Sequence, residues 1–111
     1  LSLKRGDVVI VAAAGDYGKP RPAVIVQTDA IPAAHPSVVV CQLTSTLVDA
    51  SDLRVTIEAS AENGLREQSQ VMIDKPVTLM RGRISGSIGR LSAAEMARVT
   101  AGLAFVIGVA D

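Results

Sequence analysis

The sequence is poor in aromatic residues: 111 residues contain one Phe, one Tyr and no Trp. Val, Ile, Leu, Met and Ala must therefore fill the core, and such a core leaves apolar surface over for a partner to cover. Cys41 is the single cysteine, which excludes an internal disulfide and fits a reducing compartment. His35 is the single histidine, so no His/Cys ligand set exists and a zinc site is not expected. An excess of charge of either sign is missing too: formal net charge is zero and the sequence pI is about 6.8. No global positive field draws in nucleic acid, and any such contact must come from a local patch. No stretch approaches the ~18 apolar residues of a membrane span. The longest, residues 101–110, is interrupted by Gly102 and Gly108. No secretory leader pattern is visible. These absences predict a cytoplasmic, soluble protein.

What is present is ample aliphatic content, 49% apolar overall, in a length that suits one domain over residues 1–111 with one core. The run Val8-Val9-Ile10-Val11-Ala12 reads as a first strand, Arg21 to Thr28 as a second and Val38 to Leu43 as a third. These runs are continuously apolar, so both of their faces are expected to be covered. Residues 53–59 alternate instead, which predicts a strand with one face in solvent. Glu62-Asn63-Gly64-Leu65 reads as a turn and Ser69 to Asp74 as a further strand. Residues 77–87, basic and interrupted by glycine, support no firm assignment.

The C-terminal segment carries the clearest helix signal. Ser92-Ala93-Ala94-Glu95 is a capping box, and Leu91 before the cap with Met96 at the fourth helical position forms a hydrophobic staple. Met96, Val99, Leu103 and Val106 recur at helical spacing as one apolar stripe, and the helix is expected to end near Gly108. Five or more short strands followed by one packing helix predict a mainly β fold, a small antiparallel barrel or half-barrel with a C-terminal helix.

One loop stands apart chemically. Gly18-Lys19-Pro20-Arg21-Pro22 runs straight into Ala23-Val24-Ile25-Val26-Gln27. Pro20 has a fixed φ and Pro22 denies Arg21 the α region, so Arg21 is held extended at the mouth of a strand. A permanently charged, forked donor on a stiffened backbone suits a phosphate or a carboxylate. The competing reading is a surface Arg paired with a nearby acid.

Three features in this order resemble the MazF/PemK/Kid family of toxins from bacterial toxin–antitoxin pairs: Lys4-Arg5-Gly6-Asp7-Val8, the stretch from Gly18 to Gln27, and Leu43-Thr44-Ser45 closing the third strand. The stretches Ser69 to Asp74 and Ile88 to Ser92 match as well, so the resemblance covers nearly the whole chain. It implies a half-open barrel of the CcdB/PemK type, similar to Src-homology-3 barrels, in a cytoplasmic homodimer. It also implies an mRNA interferase, an endoribonuclease that cuts single-stranded RNA at short sequences without a metal or other cofactor. The products would be a 2′,3′-cyclic phosphate and a 5′-hydroxyl. The partners implied are single-stranded RNA and a cognate acidic antitoxin that silences the enzyme. Carried over by position, Arg21 and Thr44 match the family's catalytic Arg and Thr, and Asp74 matches an acidic residue that some members use. Two departures are visible: Met72 stands where some members have an Arg, and the loop before Arg21 lacks the His that some members place there.

The chemistry is consistent with that assignment. RNA supplies its own nucleophile, the 2′-OH, so cutting needs a base, stabilisation of charge building on phosphorus, and protonation of the leaving 5′-oxygen. Arg21 is the expected electrostatic group, because guanidinium stays protonated and cannot serve as the base. Thr44 carries a hydroxyl that either holds the scissile phosphate or the 2′-OH, or satisfies strand-end backbone; Ser45 and Thr46 are neighbours able to share its role. Asp74 reads either as a base or orienting acid or as a turn carboxylate before Pro76. Tyr17 reads either as a stacking platform for an unpaired base or as a ring packed over its loop. Lys19 and Lys75 are candidate phosphate contacts, as are Lys4, Arg5, Arg81, Arg83 and Arg90, for most of which a solvated rim is the better reading. His35 is expected to be an exposed loop residue and Cys41 a packing residue. Two other classes compete with the nuclease: a CcdB-like toxin that binds DNA gyrase and cuts nothing, and a catalytically inactive binding module.

Overall fold

A computed structural model describes residues 2–12 and 19–109. Among the described residues, seven strands precede one α-helix: β1 (Asp7–Val11), β2 (Arg21–Ile25), β3 (Ser37–Thr44), β4 (Arg54–Ile57), β5 (Ser69–Met72), β6 (Val77–Met80), β7 (Ile84–Arg90) and α1 (Ala93–Val106). All the described strand pairs are antiparallel. The sheet runs β4-β5-β3-β2-β1-β7, with β6 also paired to β3. Its two ends, β4 and β7, do not pair with each other, so the barrel stays half open, as the strand lengths predict.

The aliphatic runs dictate two buried layers. Strand geometry sends alternate side chains to opposite faces. Val8, Val24, Cys41 and Leu43 accordingly join one cluster with Val55, Ile57, Val71 and Ile73. Val9, Val11, Ala23, Ile25, Val38 and Val40 join a second with Ile84. The continuous apolar character of β1–β3 thus has its predicted cause: both faces are covered. In β4, buried and half-buried residues alternate.

Helix α1 closes the first cluster. Ser92 Oγ accepts from the Glu95 amide at 3.1 Å, and the Glu95 carboxylate accepts from the Ser92 amide at 2.8 Å. Val99 is fully buried, and Met96, Leu103 and Val106 pack against the same cluster. Gly102 lets the helix approach closely, since a Cβ there would lie 2.1 Å from Ile73 Cδ1.

The basic segment that resisted assignment forms β6, a 3₁₀ turn at Arg81–Arg83, and β7. The predicted strand from Ser69 to Asp74 ends at Met72. On β3, Leu43 pairs Val71 and Val40 pairs Val77. The opposite strand therefore uses more residues than β3 over the same distance, and the surplus loops out between Met72 and Val77. Asp74 sits in that excursion.

Candidate active site

The β2–β3 register sets the geometry of the site. Ala23 pairs Gln42, Val24 pairs Cys41 and Ile25 pairs Val40. Continued toward the strand ends, that register puts Arg21 opposite Thr44. Directly opposed residues share a face of the sheet, so the guanidinium and the hydroxyl project to the same side. Both line a cleft of about 520 Å³. Arg21 is exposed and Thr44 half-buried. Thr44 Oγ1 accepts from the Thr46 amide at 3.1 Å, which orients the side chain and leaves its O–H able to donate.

The facing wall is a loop that sequence patterning reads only as a turn. Asn63, 1% exposed, organises it. Its Oδ1 accepts from the Ser60 and Leu65 amides, each at 3.0 Å, and its Nδ2 donates to the Glu58 carbonyl at 2.8 Å. Gly64 follows with φ +71°, and a Cβ there would lie 2.1 Å from the Ile88 carbonyl oxygen. The Arg90 amide donates to the Glu62 carbonyl at 2.9 Å. The loop is thereby clamped to β7. Arg66 and Glu67 emerge from it, exposed, to line the cleft opposite Arg21 and Thr44. Sequence reasoning missed both. Their local signal was weak, two charges in a polar stretch, and their importance depends on docking against β7.

The other candidates divide clearly. Ser45 lines the cleft with Thr44. Thr46 does not; its amide serves the Thr44 side chain. Lys19 is exposed at the entry to Pro20 and Arg21 without lining the cleft. Tyr17 lies outside the described residues. Asp74 is not among the cleft residues. It lies near enough to the core for its charge to act on Cys41, and its Oδ2 sits 3.6 Å from Lys75 Nζ. Lys75 is thus paired with Asp74 and does not line the cleft. The three-residue surplus opposite β3 places Asp74 in the excursion rather than in the strand.

The remaining basic residues mostly hold backbone. Arg5 donates to the Val26 carbonyl and the Thr100 hydroxyl. Arg81 donates to His35 O at 2.5 Å, Arg83 to Ala12 O at 3.0 Å and Arg90 to Arg5 O at 3.2 Å. His35 is exposed in its loop with Nε2 3.2 Å from Ser37 Oγ. Cys41 is fully buried, and burial first, then the Asp74 charge, pushes its thiol up to about 11. A nucleophilic cysteine needs the opposite shift. Among the described residues no group of three or more His, Cys, Asp or Glu side chains could hold a metal ion, and no helix is long and apolar enough to cross a membrane.

A second groove, about 580 Å³, runs beneath α1 between Val48, Ile73, Gly102 and Phe105. It is larger than the cleft, but Arg21 and Thr44 are not in it. Near it, Phe105 is 53% exposed and Val48 44%, so apolar surface remains over, as the composition predicts.

Comparison with known proteins agrees with this architecture. The chain is 39% identical over 109 residues to the "Probable endoribonuclease MazF" of Mycolicibacterium smegmatis, covering 97% of this chain and 99% of that one. Its fold matches the Mycobacterium tuberculosis toxin MazF-mt6 with a TM-score of 0.78 at 22% identity, over 92% of this chain and 96% of that chain. It also matches an endoribonuclease from a mycobacterial species, solved in complex with its cognate antitoxin, with a TM-score of 0.80 at 22% identity over 97% of each chain. Residues 4–107 match the model of the PemK-like, MazF-like toxins of type II toxin–antitoxin systems, and the chain belongs to that family.

Proposed function

We propose that this toxin is a metal-independent endoribonuclease that cleaves single-stranded RNA by attack of the 2′-OH on the adjacent phosphorus. The observation that carries the proposal is that Arg21 and Thr44 share one cleft, opposed across β2 and β3. Arg21 forks onto the non-bridging oxygens as negative charge accumulates, where a preorganised donor counts most. Thr44 donates to the scissile phosphate or holds the 2′-OH, with Ser45 beside it. Arg66, on the facing wall, adds a second cation for a neighbouring phosphate, and Lys19 extends the positive edge beside Arg21. Products are a 2′,3′-cyclic phosphate and a 5′-hydroxyl. Without a net positive charge, RNA binding is weak, local and salt-sensitive.

The protein acts in the cytoplasm as a homodimer built from a single domain, and an acidic, partly disordered antitoxin silences it. The apolar surface around Phe105, Val48 and Leu47 is available for those two contacts.

The test is incubation of the purified protein with a long single-stranded RNA in excess EDTA. Discrete cuts are expected, and Arg21→Ala should slow them about 100–1,000-fold. Absence of cutting by the wild-type protein would sink the nuclease, and gyrase binding in that case would place the chain with the CcdB-like toxins. Undiminished cutting by Arg21→Ala would remove Arg21 from the chemistry.

A further inference from the structure

We infer that Glu67 is the general base that takes the 2′-OH proton, an inference that rests on the ribonuclease reading above. The cleft needs such a group, and few candidates are present. Among the described residues that line it, the charged ones are Arg21 from β2 and Arg66 and Glu67 from the clamped loop. A guanidinium cannot accept a proton at any working pH. The hydroxyls of Thr44 and Ser45 are poor bases without a stronger one beside them. Glu67 is the carboxylate among the described lining side chains, and a carboxylate can accept a proton. The other described acids do not line the cleft. Asp74 lies in the excursion beyond β5, beside Lys75. Asp7 accepts from the Lys4 amide at 2.8 Å and stands 3.7 Å from Arg90.

The loop is built to hold this residue still. On one side of it, Leu65 is tied to the Asn63 side chain. On the other, Ser69 Oγ donates to the Glu67 carbonyl at 3.0 Å, and Ser69 is itself buried and paired to Ile57 on β4. The backbone is fixed at both ends while the carboxylate stays exposed in the cleft. None of the described hydrogen bonds or ion pairs occupies that carboxylate. A fixed backbone carrying an uncommitted base is the arrangement that general-base catalysis requires.

The step balances as follows. The 2′-O–H proton passes to the Glu67 carboxylate as the 2′-oxygen–phosphorus bond forms. The phosphorus–5′-oxygen bond breaks, the leaving oxygen takes a proton from water, and Glu67 returns its proton to solvent. Arg21 holds the non-bridging oxygens throughout.

The experiment compares wild-type protein, Glu67→Gln, Glu67→Asp and Arg21→Ala on one long single-stranded RNA across a pH series. Binding is measured in parallel on the same RNA carrying 2′-fluoro groups, which removes the nucleophile. On the acid side the wild-type rate should fall about tenfold per pH unit as one base is protonated. Glu67→Gln should cut about 100–10,000-fold more slowly and lose that limb, while its binding changes by less than about twofold. Glu67→Asp should keep the limb at an intermediate rate. A Glu67→Gln protein that cuts at the wild-type rate, keeps the acid limb, or loses binding in step with rate overturns the assignment. If wild-type protein cuts, Arg21→Ala does not and Glu67→Gln does, only the base falls. If wild-type protein cuts nothing, the ribonuclease reading falls with it.

Discussion

The C-terminal half of strand β3 carries a thiol and a hydroxyl, Cys41 and Thr44, three positions apart, and the fold treats them oppositely. Thr44 faces the cleft, half-buried, with its oxygen held by a backbone amide. Cys41 faces the helix-covered core, fully buried, with its thiol pushed up to about 11. Alternation along one strand is enough to separate them. The difference extends to the regions around each. The core is set by close packing of Val, Ile and Leu, and its polar groups are suppressed. The cleft is set by hydrogen bonds to backbone, through Asn63, Ser69 and the Arg90 amide of β7, and its charged side chains are exposed. Chemistry needs charged side chains that solvent and substrate can reach, and the cleft, unlike the core, presents them.

The sharpest way to break this comparison is at Thr44. If its hydroxyl stabilises the phosphate, Thr44→Val should lower the RNA cleavage rate about 100–1,000-fold and leave thermal stability nearly unchanged, while Thr44→Ser should retain most of the activity. A Thr44→Val protein with wild-type cleavage would make the hydroxyl a strand-end ornament.

Next in size is the clamp. Gly64 has φ +71° and abuts the Ile88 carbonyl, whereas a Cβ on Gly82 would meet nothing within 4 Å. Gly64→Ala should cost about 1–3 kcal/mol from backbone strain alone and reduce cleavage by displacing Arg66 and Glu67. Gly82→Ala should change stability by less than about 0.5 kcal/mol. Denaturant melts and cleavage rates of the two variants, side by side, measure how much the cleft owes to a backbone contact. Equal behaviour would mean that the loop does not depend on β7.

The buried thiol makes the corresponding statement about the core. Its folded value, about 11, is raised from an ordinary 9.0. Between those values the unfolded chain loses a proton that the folded chain keeps. The contribution is therefore complete below pH 9 and is lost as pH rises through about 11. Stability of wild-type protein relative to Cys41→Ala should decline across that window, by roughly 3 kcal/mol at most. Urea melts of both proteins from pH 8 upward check it. A flat difference would mean that water reaches the thiol.

How much of this was legible in the sequence follows from how local each signal is. The β-branched runs around Val8–Val11 and Val38–Leu43 and the Ser92–Glu95 box act within a few residues, and all of them form as read. Arg21 and Thr44 were legible as candidates through proline chemistry and family resemblance, and the β2–β3 register brings them together. Residues 77–87 were not legible. Strand β7 contains Gly86, Gly89 and three serines or polar residues, and it becomes a strand because β1 pairs with it. Asp74 looked continuous with β5, but the mismatch in pairing against β3 ends that strand at Met72 and leaves Asp74 in an excursion. Arg66 and Glu67 acquire meaning only once Gly64 meets Ile88, a contact between distant parts of the chain.

The smallest effect belongs to the feature that the sequence announced most plainly. Ser92→Ala removes one half of the capping box and leaves the Glu95 amide without its acceptor. The expected loss is about 1 kcal/mol of global stability, read as a lower urea midpoint with an unchanged slope. Cleavage should not change, because α1 covers the Cys41 cluster and contributes nothing to the cleft that holds Arg21 and Thr44. If Ser92→Ala slowed RNA cleavage at temperatures well below its melting point, the core and the cleft would be mechanically coupled. The separation argued from the two faces of β3 would then have to give way to one in which helix docking sets the position of the β2–β3 ends.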